Sequence, residues 1–272
     1  MKNEQKSGVN PLDYCEAREV FEWPKPFNYW VEEGDGGQRV ISTEHWPILA
    51  VRPLADPDFF LSFARLAARG EPSEAKIEKW VLKYGLPTWE QKDTWGEGPE
   101  EASLLVKSFN NEVSLARLLL HFYTEIDQRN LVAIKARMTD SQTHHERELA
   151  GKLLHAFRSR DYRRHKVALV QVRIWNKDEL DLFMSRRVLA EILDELVSEV
   201  RRKLMAESAY GMYESYHCQD LRSALYLQLY LLVLQGHSMR YCERDDCRTP
   251  FPRNGKKRFC NSSCRSAARN QN

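Results

Sequence analysis

Apolar positions along this chain recur mostly at helical spacing, broken by a few short stretches that alternate or are bounded by turn residues. Leu105, Phe109, Val113, Ala116, Leu119, Leu120 and Tyr123 line one face of a helix predicted over 104–128. Val188, Leu189, Ile192, Leu196 and Val200 do the same for a helix over Arg186–Lys203. Residues 221–235 are apolar nearly all round, which predicts a central buried helix that Gly236 ends. Asp56-Pro57 reads as a cap and first helical position, opening a helix through Phe59, Phe60, Phe63, Leu66 and Ala67. A serine-capped helix is predicted over Ser73–Tyr84, stopping at Gly85, and another over Glu146–Arg158.

Strand signals are fewer. Asn28–Val31 and Gln38–Ser42 flank Gly34-Asp35-Gly36-Gly37, a pattern that suits a β-hairpin. Pro47–Val51 adds a third short strand, and Val167–Trp175 alternates as a half-buried strand does. Residues 1–27 and 86–99 read as irregular. The fold class expected is therefore α+β, mainly α, with a few short strands. Six of the seven tryptophans precede residue 96, so the N-terminal part should have its own aromatic core. An α-rich body over 1–236, of one or two lobes, is expected to be followed by a separate module over 237–272.

Composition changes this picture little: with 42% hydrophobic residues a core can form, and global disorder is excluded. The most apolar segment, Ala224–Leu234, is interrupted by Gln228 and falls short of the about 20 residues a membrane span needs. The polar start Met1–Lys6 predicts no secretory signal, hence a soluble cytoplasmic protein with no membrane partner. Charge matters more. Residues 236–272 carry nine Lys/Arg against three acids, while the rest of the chain is mildly acidic.

The same tail holds Cys242-x₄-Cys247-x₁₂-Cys260-x₃-Cys264. Two close cysteine pairs a dozen residues apart are the spacing of a closed tetrahedral Cys₄ site for one structural Zn²⁺. Pro250-Phe251-Pro252 would enter a hairpin between the pairs, Asn254-Gly255 would turn it, and Arg258-Phe259 would lead back to the third ligand. Asn261-Ser262-Ser263 would cap a terminal helix bearing Cys264. Knuckle, hairpin and ligand-bearing helix in that order make a treble clef. So short a segment cannot fold on its own apolar burial, so the metal must supply stability. Cys15 and Cys218 lie outside the pattern and read as buried, inert thiols.

These residues, with the Arg-Phe-Cys-x₃-Cys-Arg ending, resemble the C-terminal zinc module of bacterial proteins related to the CGNR zinc-finger group. Residues 224–229, Ala-Leu-Tyr-Leu-Gln-Leu, resemble bacterial proteins of the same layout. Here Cys264 is followed by Arg265-Ser266 rather than Gly-Asn-Arg, and the ligand spacing is shorter. The resemblance, which covers roughly 220–272, implies a DNA-binding transcription regulator. Lys256, Lys257, Arg258, Arg265 and Arg269 are the residues expected to contact nucleic acid, Arg265 and Arg269 sharing a helix face. The alternative use of these cations is to offset the negative zinc–thiolate centre. The rival function is an adaptor whose module docks a protein, and a homodimer also fits. Enzyme motifs are missing: His144-His145-Glu146 reads as an exposed helix face, and no phosphate loop or nucleophile motif occurs, so no catalysis is expected.

Overall fold

The computed structural model describes residues 23–26, 28–44, 49–68, 70–87, 101–140, 143–158, 177–207, 211–253 and 255–269. In chain order the elements are β1 (Trp23–Lys25), β2 (Asn28–Glu33), β3 (Arg39–Glu44), β4 (Leu49–Val51), α1 (Phe59–Ala64), α2 (Glu74–Tyr84), β5 (Glu101–Leu105) and α3 (Val106–Asp127). Then come α4 (Leu131–Ala136), α5 (His144–Arg158), α6 (Lys177–Leu196), β6 (Arg201–Glu207), β7 (Gly211–His217), α7 (Leu221–Leu234), β8 (Met239–Tyr241), β9 (Pro250–Pro252) and α8 (Ser262–Arg269). The class is α+β, mainly α. Two compact units share the chain: Met1–Val113 with Leu196–Gly236, and Ser114–Glu195 with His237–Asn272. Residues 237–272, expected as a module by themselves, thus group with 114–195, although the chain does pass from one unit to the other just after Gly236.

In the first unit the expected hairpin forms. Asn28 pairs with Glu44 through to Glu33 with Arg39, and the connection bends where Gly36 and Gly37 take φ of 73° and 74°, a region that favours glycine. β5 adds to the outer edge of β3, giving the order β2-β3-β5. β4 pairs with β1, so Trp23–Lys25, read as irregular from sequence, is a strand. Pro24 is tolerated there because the sheet has two strands, both of them edges.

The unit's core is aromatic. Phe63 packs on Trp80 at 4.7 Å and meets the edge of Phe109 at 5.4 Å, while Tyr84 closes on Trp80 at 5.1 Å. α7 is buried almost all round, as its sequence predicts. Its one interruption, Gln228, is buried too. Gln228 Oε1 accepts from the Phe60 N–H at 2.6 Å, and Nε2 donates to the Asp56 carbonyl at 2.8 Å. The side chain thereby satisfies the Phe60 N–H that the start of α1 leaves over, and adds a second donor to the Asp56 carbonyl, which also takes the Phe59 N–H at 3.0 Å. Asp56 is also claimed by Lys83 and Tyr84. Burial works against its ionisation, but these hydrogen bonds outweigh burial and hold its carboxyl below the usual range.

Two predicted helices change at their ends. The helix expected from 104 begins at Val106, because Leu104 and Leu105 belong to β5. The helix expected over Arg186–Lys203 begins earlier, at Lys177, and stops at Leu196. Val200 prolongs the helical spacing in sequence, but Arg201–Glu207 pairs with Gly211–His217 from Arg201↔His217 to Glu207↔Gly211. Pairing with a neighbouring strand overrides local periodicity there.

The second unit contains the C-terminal part of α3, α4, α5, most of α6 and the cysteine segment. α3 ends at Asp127, Arg129 beyond it adopts φ 56°, and Asn130 then caps α4 by accepting from the Ala133 N–H at 3.1 Å. The buried Glu125 takes two hydrogen bonds from Arg137, and Lys135 lies 2.8 Å from the buried Asp181. At α5, Thr143 and Glu146 exchange side chain-to-backbone bonds of 2.8 and 3.2 Å. Glu146 therefore closes a capping box that Thr143 opens, a structural role for the acid, with His144 and His145 between them. The strand expected over Val167–Trp175, the basic stretch 159–166 and Cys15 lie outside the described residues.

Candidate metal centre and basic groove

β8 pairs antiparallel with β9 from Met239↔Pro252 to Tyr241↔Pro250. The connection between them is a tight loop that carries Cys242 and Cys247. The Cys242 N–H donates to the Thr249 carbonyl at 3.0 Å and the Cys247 N–H to the Arg244 carbonyl at 3.0 Å. Arg248 takes φ 41° to leave the loop, a left-handed conformation more usual for glycine. Residues 255–259 then return across the loop, where the Glu243 N–H meets the Arg258 carbonyl at 3.1 Å. α8 follows with the cap expected from sequence: Asn261 Oδ1 accepts from the Cys264 N–H at 2.8 Å. The hairpin is the exception. It is built by the strands that flank the first cysteine pair, whereas the sequence reading put it between the two pairs. No strand occurs at 255–259 among the described residues. Pro250–Pro252 finds a partner already laid down at Met239–Tyr241.

This folding brings Cys242, Cys247, Cys260 and Cys264 together, with all four sulfur atoms within 4.8 Å of one another. The Cys247–Cys260 and Cys260–Cys264 sulfur separations are 3.7 and 3.6 Å. A tetrahedron with metal–sulfur bonds of about 2.3 Å has edges of about 3.8 Å, so the quartet fits one metal ion. Phe251, 1% exposed, lies beneath the cluster, and Phe259 packs against it. Cys242, Cys260 and Cys264 are buried and Cys247 partly so.

Electrostatics point the same way. Burial, then the neighbouring sulfurs, push the Cys260 thiol well above the usual range, and burial raises Cys264 as well. Burial also opposes ionisation of Cys247, but hydrogen bonding with the Thr249 hydroxyl and amide, and then with the Cys260 and Cys264 sulfurs, outweighs it and brings that thiol to about 7. Four thiolates gathered this closely repel one another, and a dication among them turns that repulsion into attraction. Four cysteine side chains fill a tetrahedral shell and leave no coordination position for water. The segment can hold a metal ion.

The cluster is fixed to its own unit through β8. Asp127 Oδ2 accepts from the Met239 N–H at 2.7 Å, and the Tyr123 hydroxyl donates to the His237 carbonyl at 2.7 Å. The His121 and Tyr241 rings sit 5.5 Å apart. Asp127, Tyr123 and His121 carry no motif, and only their place on the last turns of α3 makes them supports of the site.

Of the five basic residues singled out from sequence, three meet at one place. Arg258, Arg265 and Arg269, with Phe259 and Ala268, line an open groove of about 400 Å³. Lys256 and Lys257 are exposed on the loop before it, and the Lys257 ammonium stands 5.6 Å from the Phe251 ring. Arg258 is paired with Glu243, Arg244 with Asp246, and Arg248 lies 3.9 Å from Asp245. The three acids of the segment thus offset three arginines, a pairing foreshadowed by Glu243-Arg244-Asp245-Asp246 in the sequence. Arg265 and Arg269 have no acidic partner among the described residues.

No family model, curated protein or solved structure matches this chain. The site therefore has to be read from its own chemistry. Cys218 is not part of it: burial, with Asp220 nearby, raises that thiol to about 12, so it stays protonated at neutral pH. No helix is long and apolar enough to cross a membrane among the described residues.

Proposed function

We propose that the cysteine quartet holds one structural Zn²⁺ and that the basic face beside it binds DNA, in a regulator-like protein that is not an enzyme. Zinc is favoured over other ions by four soft thiolate donors at tetrahedral separations, a closed shell without redox demands. Bound there, the ion would cross-link the loop 242–247 to the start of α8, supplying the stability so short a segment lacks. Cys242, Cys247, Cys260 and Cys264 would hold it.

The observation that carries the DNA reading is the pair Arg265 and Arg269. They share one face of α8 beside Arg258, and no described acid neutralises them. Lys256 and Lys257 add charge on the same side of the sequence. The zinc–thiolate centre brings −2 to a segment of formal +6, which leaves about +4 on a small surface. That surplus is enough for a few phosphates. The likeness to CGNR-type modules at Cys242–Arg265 supports the same reading. The cytoplasm, where thiols stay reduced, is the compartment that suits such a site.

The test uses full-length protein purified without chelator. About one zinc per chain is expected by elemental analysis, and Cys242→Ser with Cys260→Ser should lose it. Arg265→Glu with Arg269→Glu should abolish retention on DNA at low salt while the zinc content stays unchanged. Wild-type protein that ignores both single- and double-stranded DNA at low salt, while a particular protein co-purifies stoichiometrically, would establish the adaptor instead.

A further inference from the structure

Resting on that nucleic-acid reading, we propose that the groove at α8 is a subsite for one unpaired nucleotide, its base against Phe259 and its phosphate between Arg265 and Arg269. The groove has two kinds of wall. One is ionic: Arg265 and Arg269 are four residues apart on α8, so their guanidinium groups rise from one face. The other is flat and apolar: Phe259 and the methyl of Ala268, which lies on the same helix between the two arginines. A larger residue at 268 would fill the space over the ring. Arg258 is the third cation, but Glu243 holds it in an ion pair, 5.9 Å from the Phe259 ring centroid. It frames the aromatic wall more than it adds charge.

Phosphate contacts alone need only the cations, and a bare basic helix would provide them. Phe259 packs on the cysteine cluster yet also lines the groove, and that groove-facing part of the ring is what the duplex leaves unexplained. Bases in a duplex present edges to a protein and keep their faces stacked inside. An unpaired base offers a face, and stacking of that face on an aromatic side chain beside arginines is how single strands are held. The volume, about 400 Å³, lies at the small-ligand end of the pocket range and suits one residue of a strand rather than several. A phosphorylated or acidic peptide would use the arginines and leave the ring idle, so it is the weaker match.

Fluorescence anisotropy of the zinc-loaded full chain separates these cases. The probes are a labelled single-stranded oligonucleotide, the blunt duplex of the same sequence, that duplex with one unpaired 3′ nucleotide, and the same strand as RNA. The strand and the extended duplex should bind about tenfold tighter than the blunt duplex, the size of one base–aromatic stack. Ala268→Trp, which fills the groove without altering charge, should lower strand affinity to the duplex level with zinc retained. Ala268→Met gives the same readout should the tryptophan variant fold poorly. Equal binding of strand and blunt duplex by the wild type would overturn the subsite while leaving the DNA reading intact. So would a strand preference that survives both substitutions. Loss of all nucleic-acid binding at low salt would instead remove the reading beneath it. The RNA arm tells which nucleic acid supplies the nucleotide, and tighter binding of a phosphoserine peptide than of any oligonucleotide would overturn the proposal.

Discussion

Gln228 shows how one polar residue can decide a buried helix. In sequence it only interrupts an apolar run; in the structure it joins α7 to the first turn of α1 by two hydrogen bonds. Gln228→Leu keeps the shape and removes both bonds, stranding the Phe60 N–H, while the Asp56 carbonyl keeps the Phe59 N–H at 3.0 Å. A loss of about 1–3 kcal/mol is expected in chemical denaturation, the cost of one stranded buried group. A variant as stable as the wild type would mean the Phe60 N–H finds another partner. His121 makes a second residue-level case. Burial, then the charges of Arg117 and Arg137, lower its pKa to about 3. An unfolded chain takes up a proton there near pH 6.5, while the folded chain does not. The stability His121 contributes is therefore complete above about pH 6.5 and lost as pH falls toward 3. Roughly 2 kcal/mol should go between about pH 6.5 and 5. His121→Phe, which keeps a ring against Tyr241, should flatten that part of the pH profile; an unchanged slope would show that another group titrates.

Among elements, what could be read in advance follows the distance over which each is stabilised. α2, α5 and α7 carry their own periodicity, with Gly85 and Gly236 stopping two of them, and the hairpin β2–β3 carries its glycines between its strands; Ser73, read as the cap of α2, makes no side-chain cap hydrogen bond. The cysteine quartet was legible for the same reason, since ligand spacing is local and Asn261 announces the helix that bears Cys264. β1, β5, β6 and β7 were not. Pairings such as Val40↔Leu105 depend on a partner far along the chain; β6 and β7 form a local hairpin, but there Val200 imitates one more helical turn and hides its start. The hairpin of the metal segment was misplaced because Met239–Tyr241 gives no strand signal until Pro250–Pro252 lies beside it. Nor could the sequence show that β8 would be held by Asp127 and Tyr123 of α3. That attachment yields a prediction at this scale. Removing the metal with a chelator should raise amide hydrogen exchange over 237–269 and also at 121–128, while α7 and α2 keep their protection. Exchange confined to 237–269 would show that the last turns of α3 hold without the cysteine segment.

At the scale of the whole molecule, charge is divided along the chain rather than spread. The body is mildly acidic and the last stretch strongly basic, so any affinity for a polyanion should be concentrated there and behave as counterion release. With about four effective charges, log K for duplex DNA should fall against log salt with a slope of roughly −3 to −4. Arg265→Glu with Arg269→Glu should flatten it. A slope near zero would assign the basic residues to balancing the metal site alone.

Each unit is assembled from two separate lengths of chain: Val113 closes the first length of one, and Leu196–Gly236 completes it only after most of the other has been made. On the ribosome this order has a cost in time. The aromatic cluster around Trp80 emerges early, yet α7, which supplies Gln228 and an almost wholly buried surface, follows on the order of ten seconds later at ordinary synthesis rates. Until then the nascent polypeptide displays apolar surface with no partner, which is what chaperones hold. The cysteines follow α7 in the chain, so a metal held there would be loaded only after that helix has been made.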